Sequence, residues 1–206
     1  MGLPATAERA LVLRIKPSGE SFYKLDVLTK ETGYILCLQR ISRKQLSHTK
    51  PDFLDTAEIL MEPPRQGAAR FIKEYHLIER RSNVGQSYRT LQCASEFCSL
   101  IVRNAPHMAE PDVLYKIIER TLNAFNEKKS PEIIFLKALY LLLKDEGYPV
   151  RESWWPQLPK QLQNPARQFI NDPTSGSVPE EQTKICIEIS HNLRNWLSHE
   201  TDLALP

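Results

Sequence analysis

Apolar and polar positions alternate with a period of two through residues 1–81, and with a period near 3.6 beyond them. In Leu11 to Lys16, the residues Leu11, Leu13 and Ile15 share one face of an extended chain, and Val12, Arg14 and Lys16 share the other. The turn Pro17-Ser18-Gly19-Glu20 follows, with Pro and Gly supplying the backbone angles of a reversal. From Ser21 to Thr29, Tyr23, Leu25 and Val27 alternate with Phe22, Lys24 and Asp26. Glu31-Thr32-Gly33 makes a second turn, and the alternation resumes from Tyr34 to Ile41. The basic polar stretch Ser42 to Pro51 reads as a loop. Leu54 to Met61 and Arg70 to Ile78 predict two further strands around Pro63-Pro64-Arg65-Gln66-Gly67. Five short strands with almost no room for crossover helices predict a small antiparallel barrel.

Near Ser82 the pattern becomes helical. Leu91, Ala94, Cys98, Ile101 and Val102 recur at three- and four-residue steps, and Pro106 and Pro111 break the run. A second helix carries Val113, Leu114, Ile117, Ile118, Leu122 and Phe125. A third opens at Ser130-Pro131-Glu132, an N-cap with Pro in the first turn, and is apolar almost all round from Ile133 to Leu143. It stops at Gly147-Tyr148-Pro149. Prolines punctuate residues 150–179, leaving room for one short helix near Lys160 to Ile170. Ser177-Val178-Pro179-Glu180 resembles a capping box for a last helix burying Ile185, Ile189, Leu193, Trp196 and Leu197. The expected class is α+β, with a β-barrel domain over 1–81 and an all-α domain over 82–206.

Charge sharpens that division. Residues 1–81 hold 14 basic and 10 acidic side chains, net +4, and residues 82–206 hold 13 and 15, net −2. Such asymmetry fits two modules with different partners. No apolar run, Leu139 to Leu143 included, approaches the ~20 residues that span a bilayer, so no membrane role is expected. The N-terminus lacks a secretory pattern. The cysteines, Cys37, Cys93, Cys98 and Cys186, form no C-x2-C pair, so neither a zinc site nor a disulfide framework is expected. These features predict a cytoplasmic protein without cofactor.

Catalytic signatures are missing too: G-x-S-x-G, H-E-x-x-H and the Gly-rich phosphate loop are all absent. His48, His76, His107, His191 and His199 are scattered, and the reading is non-enzymatic. The barrel half is better equipped for binding. Arg40, Arg43, Lys44 and Lys50 cluster at the end of the third strand and in the following loop, while Arg14, Lys16 and Lys24 sit on neighbouring strands. With Phe22, Tyr23 and Tyr34 interleaved, this is the composition of a single-stranded nucleic-acid groove, in which cations track phosphates and rings stack on bases. These seven cations are the candidate DNA-binding residues.

Gly19-Glu20-Ser21 after a strand ending Leu13-Arg14, followed by Leu28-Thr29-Lys30-Glu31-Thr32-Gly33, resembles the opening of the bacterial DNA-repair protein family RecO. Phe135-Leu136-Lys137 through Leu142-Leu143 to Gly147-Tyr148-Pro149 is similar to that family's second landmark. The resemblance implies an N-terminal OB-fold followed by a helical domain. It implies a recombination mediator that binds single- and double-stranded DNA, anneals strands, and loads RecA together with RecR and the C-terminal tail of single-stranded DNA-binding protein. The same resemblance implies a nucleoid-associated location. Many members carry a four-cysteine zinc site after the Gly-Tyr-Pro landmark. Here that stretch is Val150-Arg151-Glu152-Ser153-Trp154-Trp155-Pro156, so no zinc is expected, and Trp154 and Trp155 are read as a hydrophobic staple in its place. The alternative is a protein-interaction module that has lost DNA binding, with Arg103, Lys116, Arg120 and Lys137 rimming a peptide cleft on the helical domain.

Overall fold

Alternation in the first part of the chain becomes a closed five-stranded, OB-fold-like barrel in the computed structural model, which describes residues 5–41, 49–64, 67–108, 110–174, 176 and 178–205. The strands are β1 (Thr6–Ser18), β2 (Phe22–Thr29), β3 (Gly33–Arg40), β4 (Thr56–Glu62) and β5 (Arg70–Glu79). They are ordered β1-β2-β3-β5-β4, with β1 pairing β4 through its first half and β2 through its second. The sheet is not wholly antiparallel. Closure uses a short parallel pairing of β3 with β5, and β4 lies between β5 and β1.

Inside lie Ala10, Val12, Leu25, Val27, Ile35, Cys37, Ala57, Ile59, Met61, Ile72 and Tyr75, with Ile15 and Tyr23 packed partly against them. The β2 and β3 alternation therefore holds, but that of β1 does not. Val12 opposes Val27 and Arg14 opposes Asp26, so Leu13 is an extra residue in β1. Such a bulge inverts the side-chain parity beyond it. Val12 faces the core while Arg14 and Lys16 face outward, although strict alternation groups all three. Gly33 begins β3 at φ +80°, and a Cβ there would meet Pro111 at 3.3 Å. An L-residue at this position would be strained both by its backbone angle and by that contact.

A buried carboxylate fixes the approach to β4. Asp55, fully buried, accepts from the Tyr75 hydroxyl (2.8 Å), from Arg80 Nε (2.9 Å) and Nη2 (2.8 Å), and from the Asp52 amide (2.8 Å). Burial, then Asp55 itself, pushes the Tyr75 phenol well above its ordinary range.

The helices are α1 (Tyr88–Asn104), α2 (Pro111–Asn126), α3 (Pro131–Asp145), α4 (Trp155–Gln157), α5 (Lys160–Asn171) and α6 (Glu180–Glu200). The chain divides into two compact units, Met1–Arg81 with Ala105–Lys116, and Ser82–Asn104 with Ile117–Pro206. In the second unit α3 is the most apolar helix, with ten buried residues between Glu132 and Leu143, although Leu141 is exposed. Its end is a Schellman motif: the Gly147 amide donates to Lys144 O and the Tyr148 amide to Leu143 O, with Gly147 at φ +82°. Ser130 precedes the helix, but its hydroxyl donates to Glu132 rather than capping a backbone amide. On α1, Leu91 is exposed, and Phe97 and Leu100 join the buried stripe instead. Ser177 lies outside the described residues; α6 starts at Glu180 directly after Pro179, so Glu180 is too early to serve as the reaching residue of a capping box.

A π-helical turn, Val150–Trp154, leads into α4. It buries Trp154 completely, 6.2 Å from the Tyr140 ring, with its indole N–H donating to Asn192 on α6 (2.8 Å). Trp196 returns the link by donating to Ser153 (3.1 Å). One fully buried indole is worth about 1.5–3 kcal/mol of transfer free energy. Among the described residues, no helix is long and apolar enough to cross a membrane, and no group of three or more His, Cys, Asp or Glu side chains could hold a metal ion.

Candidate nucleic-acid interface

The ladders specify which side chains share the outer face of the barrel. Lys16 opposes Lys24, Ser18 opposes Phe22, and Arg14 opposes Asp26 across β1 and β2. Across β2 and β3, Phe22 opposes Arg40 and Lys24 opposes Leu38. Across the parallel pairing, Leu38 neighbours Phe71. Lys16, Lys24 and Arg40 are exposed, while Phe22, Leu38 and Phe71 are half-buried among them. The Phe22 and Phe71 rings meet edge to face, with centroids 6.0 Å apart.

Like charges placed directly opposite on a sheet are destabilising. Lys16 and Lys24 stand in that relation, and among the described residues neither they nor Arg40 forms an ion pair. Arg14 differs. Its Nε donates to buried Asp26 Oδ2 at 2.7 Å, and the Tyr34 hydroxyl donates to the other oxygen of the same carboxylate. The hydrogen bond to Asp26 raises the Arg14 pKa further, and burial followed by Asp26 raises that of Tyr34. Arg14 is thus neutralised in place and helps fix the sheet rather than offering a free charge.

The other candidates are distributed differently. Arg43 and Lys44 lie outside the described residues. Lys50 is exposed in the segment before β4, where its carbonyl accepts from Arg80 Nη2 at 2.8 Å, and it belongs to none of the three ladders above. Tyr23 turns inward and only Phe22 and Tyr34 turn outward. Phe71 is the ring that sequence reading did not single out. Its position in an alternating strand was visible, but its place beside Leu38 and Phe22 depends on barrel closure. The helical cations are held separately: Lys116 by Asp112 (2.5 Å), Arg103 by the Leu205 carbonyl (2.6 Å) and Lys137 by the Asp172 carbonyl, with Arg120 exposed.

Among the described residues, the arrangement presents three cations without an ion pair around a half-buried aromatic pair on the barrel sheet. It can hold a flexible polyanion and support planar rings, and it has no convergent acid, base and nucleophile among the described residues. No protein-family model matches the chain, and no curated protein matches it.

Proposed function

We propose that this protein is a non-enzymatic, DNA-binding recombination mediator of the RecO type, and that the outer face of β1, β2 and β3 is its single-strand contact. The observation that carries this reading is the unpaired Lys16–Lys24 cross-strand couple beside Arg40, Phe22 and Phe71. A like-charged couple on a sheet costs stability and returns no packing. A phosphate backbone laid along the face would relieve that repulsion and release its own counterions. Bases lifted from the backbone would stack on the Phe22–Phe71 pair, which tolerates any sequence because every base has a π-face.

In this reading Arg43, Lys44 and Lys50 remain candidate phosphate contacts on the sequence alone. Annealing follows from holding two strands on one cationic surface, where their mutual repulsion is reduced. RecR, the tail of single-stranded DNA-binding protein and RecA loading enter through the sequence resemblance. Titration of a labelled single-stranded oligonucleotide against K16E/K24E/R40E tests the interface. A loss of about tenfold or more in affinity is expected, since three charge-assisted contacts become repulsive. Unchanged affinity in a folded triple variant would remove the interface, and binding by neither protein would favour an interaction module.

A further inference from the structure

The second unit contains a cleft whose chemistry has no role in the barrel interface. It is about 260 Å³ in volume and is lined by Tyr140, Arg151, Trp155, Arg167, Ile170 and Asn171. Local sequence builds it. The Schellman end of α3 and the π-helical turn after it send Trp154 inward and leave Trp155 half-buried beside it. The two indoles meet at 84°, centroids 5.7 Å apart, so Trp155 is fixed by a fully buried neighbour. On α5, Leu162 and Ala166 are buried, and Arg167, Ile170 and Asn171 follow at the i, i+3, i+4 spacing that puts them on one face.

Its electrostatics distinguish it from the cleft lined by residues of α1, α3 and α6. There both arginines are already satisfied, Arg89 by Glu132 and Arg194 by Glu96, each at 2.6 Å. Among the described residues no carboxylate lines the Trp155 cleft and neither Arg151 nor Arg167 forms an ion pair, although the charge of Glu152 is felt at Arg151. Arg151 is steered instead by the Tyr140 hydroxyl, to which its Nε donates at 3.4 Å. Two guanidinium forks beside a fixed indole match a ligand that joins a phosphate to a planar ring, because guanidinium pairs with phosphate through parallel N–H donors. The volume lies just under the ~300–1,000 Å³ of small-molecule sites, which suits one such unit rather than a duplex.

We propose that this cleft binds a single nucleotide, its base against Trp155 and its phosphate between Arg151 and Arg167. Tyr140 and Asn171 supply the hydroxyl and amide that can read the base or sugar. The site is independent of the barrel reading, because it shares no residue with it.

Calorimetric titration of the 206-residue chain with adenosine 5′-monophosphate, adenosine and inorganic phosphate tests the assignment. The nucleotide is expected to bind about tenfold or more tightly than either fragment, since each fragment lacks one of the two contacts. Arg151→Ala/Arg167→Ala and, separately, Trp155→Leu should each weaken nucleotide binding by about tenfold while K16E/K24E/R40E leaves it unchanged. Displacement of the nucleotide by a single-stranded oligonucleotide would identify the natural source as a strand, and its absence a free nucleotide. Phosphate binding as tightly as the nucleotide, unchanged binding in folded arginine and tryptophan variants, or binding of an acidic peptide without any nucleotide binding would each overturn the proposal.

Discussion

Removing single cations from the barrel face should change the salt dependence of DNA binding by a fixed step. A single strand releases counterions in proportion to the phosphates neutralised, giving a slope of log affinity against log salt of about −0.7 per contact. Lys16, Lys24 and Arg40 are the free cations on the described face and together account for about −2.1. Between about 50 and 200 mM salt their share of the affinity falls roughly 18-fold, and roughly 7-fold once one of them is neutralised. Lys24→Gln, Lys16→Gln and Arg40→Gln should therefore each flatten the slope by about 0.7. Arg14 gives the contrasting case, because its charge is already matched by Asp26 at 2.7 Å. R14Q/D26N leaves the local net charge unaltered, and its slope should match that of the parent. The assay is anisotropy of a labelled oligonucleotide across a salt series. Equal flattening by R14Q/D26N and Lys24→Gln, or no flattening by the single variants, would refute a site defined by the ladder register.

Three further outcomes follow from the packing. Asp55→Ala strands Arg80, the Tyr75 hydroxyl and the Asp52 amide, and should destabilise the barrel by about 3–5 kcal/mol, read as at least two decades of lost hydrogen-exchange protection at core amides such as that of Val27. Asp55→Asn, which keeps an acceptor, should cost less. Trp154→Ala should cost about 3–5 kcal/mol in urea unfolding of the helical unit, and a loss below 1 kcal/mol would show that this indole does not anchor the 150–154 turn. Burial pushes the Cys93 thiol up to about 11, two pH units above its ordinary 9.0. Its thiolate is therefore about 100-fold scarcer at pH 8 than that of an unperturbed thiol, so alkylation by iodoacetamide should be slower by about that factor and accelerate tenfold per pH unit toward 11.

Much of this was legible locally. Period-two alternation located all five strands, and the 3.6 period with Pro and Gly punctuation located the major helices, because each signal depends on neighbours a few residues apart. Gly147 followed by Pro149 sufficed to end α3, since a left-handed position and a missing amide stop a helix in any context. Which cations remain free was not legible. The spacing of Val12, Arg14 and Lys16 is uniform in the chain, and only pairing with β2 reveals the extra residue that turns Arg14 and Lys16 outward. Asp26 as the partner of Arg14, Phe71 as the neighbour of Phe22, and the arginines flanking Trp155 all arise from segments brought together by closure or by helix packing. Sequence alone thus determined the elements and the charge each module carries. Tertiary structure decided which of those charges are already neutralised and which face solvent, because an ion pair depends on distance in space and the order of residues does not encode that distance.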